Sequence, residues 1–215
     1  MINSKIDSES EFQGKLTLNL PLMEDFHTLQ GEGYHTGTSA YFIRLAGCDV
    51  GCVWCDVKES WDAADHNIVS VTEIVNRAKN SKAPIAVITG GEPALYDLTE
   101  LTNELIRLGI RVHIETSGTR ELKGKFHWVT VSPKKFKNPL ESVLNKADEY
   151  KLVVYDKSDM AWALKYVNNL KPGCKLFLQP EYSRKEKMTP IINKYILEHP
   201  EWRISLQTHK IIGIP

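Results

Sequence analysis

The sequence predicts an α/β protein whose strands and helices alternate to form a partial, incomplete TIM-type β/α barrel. Three observations lead to this fold class. Short apolar runs typical of buried strands alternate with capped helical segments. Helix signals are missing between some of the strands. The chain, with 215 residues, is also shorter than a typical eight-fold barrel of about 250 residues.

Seven short apolar runs, rich in strand formers, are the strand candidates. They cover residues 40–46, 84–89, 110–115, 127–132, 151–155, 175–179 and 203–207. The run 84–89 contains almost no polar residue, which is typical of a parallel strand buried on both faces.

Four helix starts are predicted from capping patterns. They are the Ser70–Glu73 capping box, the Asp97–Glu100 capping box of a helix that stops at Gly109, a start near Ser158, and a start at Thr189–Pro190.

The chain organisation is simple. Residues 1–15 are expected to form a loose N-terminal tail, and residues 16–215 a single domain. Because ligands gather at the carboxyl ends of parallel strands, the loops after residues 46, 89, 115 and 132 are the places expected to carry chemistry.

Composition narrows the class of protein. The 27 Lys and Arg residues balance 27 Asp and Glu residues, so neither a nucleic-acid partner nor an anionic membrane surface is expected. The N-terminus lacks the apolar core of a signal peptide, and no apolar run has the roughly 18 residues of a membrane helix. We therefore expect a cytoplasmic protein, in which clustered cysteines bind metal or do chemistry rather than form disulfides.

Three cysteines, Cys48, Cys52 and Cys55, lie within eight positions of the chain. Thiolates are ligands for zinc and for iron–sulfur clusters. Three thiolates on one loop can hold three irons of a 4Fe–4S cubane and leave the fourth iron open to a ligand. The alternative is a zinc site completed by His66 or Cys174, neither of which stands at a usual paired spacing.

The cysteine triad and the segment "TGGEP" (89–93) together resemble the radical S-adenosylmethionine (SAM) enzymes. That resemblance implies a 4Fe–4S cluster held by Cys48, Cys52 and Cys55, with SAM on the open iron as the source of a 5′-deoxyadenosyl radical. It also implies SAM-binding roles for Trp54, Asp56, Gly91, Glu92, Thr116, Ser117, Ser132, Lys134 and Gln179.

Further segments narrow the resemblance to the 7-carboxy-7-deazaguanine synthase family of queuosine (7-deazapurine) biosynthesis. They are "LQGEG" (29–33), "FIRLAGC" (42–48), "ETSGT" (115–119), "SPK" (132–134), "LQP" (178–180) and "LQTHK" (206–210). The family implies a lyase that converts 6-carboxy-5,6,7,8-tetrahydropterin to 7-carboxy-7-deazaguanine and releases ammonia. It also implies a flavodoxin- or ferredoxin-type reductant and a homodimer.

The substrate-binding residues implied by this resemblance are Leu29, Gln30, Gly31, Glu32, Arg44, Thr89 and Pro215. A carboxylate such as Glu32 suits the guanidine-like edge of a pterin, and Gly31 and Gly33 would permit direct contacts between the backbone and the substrate. Arg44 suits the substrate carboxyl group because a guanidinium binds it bidentately, the alternative being a salt bridge to an acid within the protein.

One position departs from the family. Val57 stands where a threonine commonly helps to bind Mg²⁺, and the metal would then need Asp56, Glu59, or substrate and water alone. Two alternative functions are also open from the sequence. A glycyl-radical-enzyme activase shares the triad and GGEP, and a non-catalytic zinc-binding module shares the cysteines.

Overall fold

A computed structural model of the chain describes residues 18–215, so the predicted tail over residues 1–15 lies outside the described part. Within this part, nine strands form one sheet that does not close on itself. The predicted α/β partial barrel is confirmed. The strands are β1 (Asn19–Leu29), β2 (Ser39–Leu45), β3 (Asn67–Ser70), β4 (Ile85–Gly90), β5 (Arg111–Thr116), β6 (Trp128–Val131), β7 (Glu149–Val154), β8 (Lys175–Pro180) and β9 (Trp202–Ile204).

The strand order is β3-β1-β2-β4-β5-β6-β7-β8-β9. Strand β2 and strands β4 to β9 run parallel, whereas β1 pairs antiparallel with both β2 and β3. The carboxyl ends of the parallel strands therefore meet at one edge of the sheet, where the loops predicted to carry chemistry begin.

All seven predicted strands are present, although β9 is shorter than the predicted run over residues 203–207. Strands β1 and β3 were not predicted. Strand β1 contains Pro21 and the acidic pair Glu24 and Asp25, which hide its strand character in the sequence.

Six α-helices are present in the described residues, and all but the last lie between two strands along the chain. They are α1 (Val71–Ser81), α2 (Thr99–Arg107), α3 (Glu141–Leu144), α4 (Lys157–Ala163), α5 (Lys185–Glu198) and α6 (Thr208–Ile212). None of these helices is long and apolar enough to cross a bilayer.

Two predicted helix starts are correct or nearly so. Ser70 is the N-cap of α1, and its hydroxyl accepts a hydrogen bond from the Glu73 backbone N–H. Helix α4 begins at Lys157, one residue before Ser158, and its capping box is formed by Asp156 and Asp159.

Of the other two predicted starts, the one at Asp97 lies one residue before the N-cap of α2 but lacks the predicted capping box, and the one at Thr189–Pro190 is wrong. The residue that precedes α2 is Leu98, and Asp97 accepts a hydrogen bond from the Thr99 N–H instead of forming a capping box with Glu100. Helix α5 begins at Lys185 and contains Pro190. A short 3₁₀ turn leads directly into α5, so the helix forms before the proline and loses one backbone hydrogen bond there.

The core lies between the outer face of the sheet and the helices. Strand side chains alternate between two faces, so Val112 and Ile114 of β5 and Leu152 of β7 pack on the helices. The intervening residues, such as Glu115 and Lys151, face the concave inner side. This polar inner face is the wall on which the site is built.

Candidate active site

One cavity of about 260 Å³ opens at the carboxyl ends of the parallel strands. Most residues to which a site role was assigned from the sequence line it, and the exceptions are Glu92, Gly33 and the suggested metal ligand Glu59. These lining residues are Leu29, Gln30, Gly31, Glu32, Arg44, Cys48, Cys52, Trp54, Cys55, Asp56, Val57, Thr89, Gly91, Thr116, Ser117, Ser132, Lys134, Gln179 and Pro215. Residues separated by most of the chain thus surround a single space.

The cysteine loop and the Gly-Gly turn are joined by backbone hydrogen bonds. They leave β2 and β4, which are parallel neighbours and so end side by side. The Gly91 N–H donates to the Leu45 carbonyl at 3.0 Å, and the Glu92 N–H donates to the Gly47 carbonyl at 2.8 Å. A Cβ on Gly91 would lie 2.3 Å from the Gly47 carbonyl oxygen, so only glycine permits this approach.

The three cysteines of the loop have free thiols, and Cys52 is buried. Burial raises the pKa of Cys52 to about 11, although the positive charge of Lys134 lowers it. A buried thiol is therefore costly to ionise unless a cationic group binds it. Cys48, Cys52 and Cys55 on one cavity wall fit an iron–sulfur cluster, which supplies that positive charge.

The residues proposed to complete a zinc site lie elsewhere. The His66 Nε2 atom lies 2.6 Å from the Glu59 backbone oxygen, and neither His66 nor Cys174 lines the cavity. Within residues 18–215, no three His, Cys, Asp or Glu side chains are grouped so as to hold a single metal ion.

Lys134 extends into the wall of the cavity beside the cysteines. Its ammonium group donates to the Ser132 carbonyl at 2.7 Å and to the Ser132 hydroxyl at 2.6 Å, and it lies 5.8 Å from the centre of the Trp54 ring. Burial lowers the pKa of Lys134. An anionic group of a ligand would offset that cost of burying the ammonium charge.

Glu92 differs from its predicted placement. Its side chain is buried behind the cavity wall, where it accepts hydrogen bonds from the Thr116 hydroxyl at 2.6 Å and from the Ser117 backbone N–H at 2.8 Å. Its carboxylate also accepts from the Ala94 N–H. Glu92 thereby orients Thr116 and Ser117, which line the cavity in its place.

Arg44 lines the cavity and also makes the salt bridge considered as the alternative. Its Nε atom lies 2.7 Å from Glu24 Oε1, a carboxylate that is 47% exposed. Because this pair uses Nε, the terminal nitrogens of the guanidinium stay available to a ligand carboxylate.

The glycines of LQGEG lie close to protein side chains, and Gly31 lines the cavity whereas Gly33 does not. A Cβ on Gly31 would lie 2.3 Å from His209 Nδ1. Gly33 has a positive φ of 66°, and a Cβ there would lie 2.0 Å from Glu149 Oε1. The Gly31 carbonyl also accepts a hydrogen bond from the Thr208 N–H at 2.9 Å.

Several cavity residues were not assigned from the sequence, and the foremost are Glu115 and Lys151. The others include Phe42, Val153, Tyr182, Gln207 and His209. A signal for Glu115 and Lys151 does exist. Each lies two residues from another polar residue, His113 and Glu149, within a strand that is otherwise apolar, and this spacing places both on one face.

The side chains present do not fit a magnesium site at the position suggested by the family. Val57 lines the cavity but has no side-chain oxygen. The Asp56 carboxylate is already paired with Lys210 Nζ at 3.1 Å and lies 3.3 Å from Gln207 Nε2. Glu59 does not line the cavity. Hard cations require free oxygen ligands, so no step of the chemistry is assigned to Mg²⁺ here.

Comparison with known proteins gives two kinds of match. The Radical SAM superfamily model matches residues 42–158. A 7-carboxy-7-deazaguanine synthase from Flavobacterium psychrophilum is 50% identical, with 91% of this chain and 93% of the relative covered. The synthase of the same name from Synechocystis sp. is 46% identical, with 93% and 95% covered.

A solved structure has the same fold. The crystal structure of QueE from Escherichia coli superimposes with a TM-score of 0.79 at 35% sequence identity. The match covers 89% of this chain and 95% of that chain.

Proposed function

The chain belongs to the 7-carboxy-7-deazaguanine synthases of the radical SAM superfamily, and from this premise we propose that it converts 6-carboxy-5,6,7,8-tetrahydropterin to 7-carboxy-7-deazaguanine with release of ammonia. One observation carries the proposal. The cysteine loop is hydrogen-bonded to the Gly-Gly turn beside a single cavity, and the wall of that cavity also carries Arg44, Glu32 and Glu115. The alternatives of a glycyl-radical activase and a zinc-binding module are not favoured by these relatives.

Cys48, Cys52 and Cys55 are the residues that would hold the 4Fe–4S cluster. When bound, the cluster supplies the electron that cleaves SAM, and the radical so formed removes a hydrogen atom from the substrate. Val53, which lies between Cys52 and Cys55, has a side chain that is 67% exposed.

The residues proposed to bind SAM surround the cysteine loop. Lys134 supplies a positive charge to an oxygen of SAM, and Ser132, Thr116 and Ser117 supply hydroxyl groups. Glu92 accepts hydrogen bonds from the Thr116 and Ser117 hydroxyls and does not itself line the cavity. The remaining members of the set are Trp54, Asp56, Gly91 and Gln179.

The pterin is proposed to bind along the part of the wall that carries Arg44, Glu32 and Glu115. The terminal nitrogens of Arg44 take the carboxyl group of the substrate, because a planar guanidinium and a carboxylate form two parallel hydrogen bonds. Glu32 and Glu115 accept hydrogen bonds from the donor edge of the heterocycle. Leu29, Gln30, Gly31, Thr89 and Pro215 complete this wall.

Three further properties are proposed from the family resemblance. They are electron donation by a flavodoxin- or ferredoxin-type protein, a homodimeric state and a cytoplasmic location. The exposed apolar side chain of Val53, within the cysteine loop, offers a contact for such a donor.

The direct test is anaerobic turnover of the reconstituted protein with reductant, SAM and carboxytetrahydropterin. We expect 7-carboxy-7-deazaguanine and ammonia in equal amounts. The variant Cys52→Ala is expected to lose both the brown iron–sulfur chromophore and all turnover, because it removes one of three ligands. Cys174→Ala, outside the cavity, is the matched control and should keep both. A colourless wild-type protein with about one zinc per chain would contradict the proposal.

A further inference from the structure

A group of charged side chains, here called the buried charge cluster, lies in the inner wall of the cavity. It consists of Lys151 and Glu149 on β7, Glu115 on β5 and Glu32 in the loop after β1. The Lys151 side chain is only 3% exposed. Its Nζ atom lies 2.5 Å from Glu32 Oε2 and 3.4 Å from Glu115 Oε2. One ammonium group therefore contacts two carboxylates that both line the cavity.

Amide side chains hold the other oxygen of each carboxylate. Gln207 Nε2 donates to Glu32 Oε1 at 3.0 Å, and Gln30 Nε2 donates to Glu115 Oε1 at 2.9 Å. Each carboxylate is thus fixed by one amide and by the shared ammonium of Lys151. Two carboxylates from distant parts of the chain are oriented as one unit.

These contacts shift the pKa values of the residues in the cluster. Burial by itself raises the pKa of Glu32, but the charge and hydrogen bond of Lys151 outweigh it and lower that pKa to about 2. Burial by itself lowers the pKa of Lys151, and Glu115, Glu32 and Glu149 outweigh it and raise that pKa. Glu149 makes no contact with the ammonium, and burial raises its pKa to about 7.

Buried ion pairs are a weak source of stability, since desolvation offsets much of the attraction between the charges. Removing one partner is nevertheless costly because it leaves an uncompensated charge. A buried lysine between two carboxylates on a cavity wall therefore suggests a role in the site itself.

We propose that Lys151 is a positioning residue for the substrate, whose ammonium group holds Glu32 and Glu115 side by side as carboxylates facing the cavity. This inference rests on the proposed function, because it is the donor edge of the pterin that the two carboxylates accept. The 2-amino group and the ring N–H beside it are both donors, so both acceptors must be unprotonated.

Two other charged groups lie near the cluster, and they must be considered before the effect of replacing Lys151 is predicted. Lys134 stands on the loop after β6, His209 lies on α6, and both interact with Lys151 through charge. Neither contacts Glu115. Removal of the Lys151 charge therefore leaves Glu115 with the Gln30 amide alone.

The test measures binding of 6-carboxypterin, a stable pterin with the same donor edge, to the anaerobically reconstituted holoenzyme by fluorescence quenching. For the wild type we expect an affinity that varies little between roughly pH 5 and 6.5, because Lys151 keeps the Glu32 carboxylate ionised there. For Lys151→Met we expect an affinity about tenfold weaker at pH 5 that recovers in part toward pH 6.5, because the buried Glu32, without the Lys151 charge, holds a proton at the lower pH.

Two further variants keep the outcome decisive. Lys175→Met removes an exposed lysine of β8 and should bind as the wild type does. Lys151→Arg restores the charge, so its affinity should be constant with pH even where it is weaker, and it serves if the methionine variant does not fold. A wild-type affinity in Lys151→Met with a flat pH profile, or a Lys151→Arg profile that depends on pH, would overturn the role of Lys151. Failure of the wild type to bind 6-carboxypterin would instead count against the proposed function.

Discussion

Several features of this site depend on the contacts of individual motif residues. The carboxylate of Glu92, in the GGEP segment, makes all its recorded hydrogen bonds to its own turn and to Thr116 and Ser117. Gly31 and Gly33 accommodate His209 and Glu149, respectively. Motif residues here act largely by fixing their neighbours, and the neighbours present the polar atoms to the cavity.

The valine at position 57, where the family commonly has a threonine, is a further feature that depends on one side chain. Because Val57 lacks an oxygen and Asp56 is paired with Lys210, turnover is expected to change by less than about twofold when Mg²⁺ is removed with a chelator or added. Val57→Thr restores an oxygen and is expected to bind Mn²⁺, used as an EPR-active substitute for Mg²⁺, where the wild type does not. Strong dependence of the wild type on Mg²⁺ would show that substrate and water alone hold the metal.

At the scale of elements, the C-terminal segment 205–215 acts as a cover over the LQGEG loop. The Gly33 N–H donates to the Ser205 hydroxyl at 3.0 Å, and Gln207 contacts Glu32. Lys210 pairs with Asp56 beside the cysteine loop. Helix α6 buries none of its own residues, so its contacts serve the cavity more than the core.

Deletion of residues 207–215 tests this view. The sheet and helices α1 to α5 should remain folded, because the core residues lie elsewhere. Affinity for carboxypterin is expected to fall by about tenfold or more, since Gln207, His209 and Pro215 leave the cavity wall. The measurement is the binding titration together with the thermal midpoint. Ile211→Ser, at a side chain that is 68% exposed, is the control and should leave both unchanged.

At the scale of the whole molecule, the open sheet has an apolar outer face and an inner face that is polar apart from a small apolar cluster of Ala40, Phe42, Ile85 and Val87. Helices cover the outer face, whereas the inner face carries the buried charge cluster and, below it, His35, His113 and Trp128 around a space of about 10 Å³. The Nε2 atoms of His35 and His113 are buried without a hydrogen-bond partner. This space has about the volume that one water molecule needs.

The inner face should make stability depend on acidity. Burial lowers the pKa of His113 to about 3, well below its ordinary value of 6.5. The stability that neutral His113 contributes is therefore present above pH 6.5 and is lost as the pH falls toward 3. Between about pH 7.5 and about pH 5.5, the wild type should lose roughly 1 kcal/mol more than His113→Phe in denaturant unfolding. Equal losses in the two proteins would show that His113 does not titrate in this way.

The local sequence pattern predicted most of the strands, the cysteine triad and the GGEP turn. Nearly all residues that were given a site role from the sequence also line the cavity. These features depend on short-range chemistry: apolar runs, ligand spacing and glycine conformations. Strand β1 and the start of α5 were not predicted correctly, because Pro21 and Pro190 suggest breaks in secondary structure that tertiary packing overrides.

Only the tertiary structure decided the partners across the cavity. Lys151 contacts Glu32 from 119 positions away, and Asp56 contacts Lys210 from 154 positions away. No local pattern encodes such pairs, since they depend on parallel strands bringing their ends to one edge and on the closing C-terminal segment. The sequence by itself thus determined which chemistry the chain carries, whereas the fold determined which side chains hold the reacting groups in place.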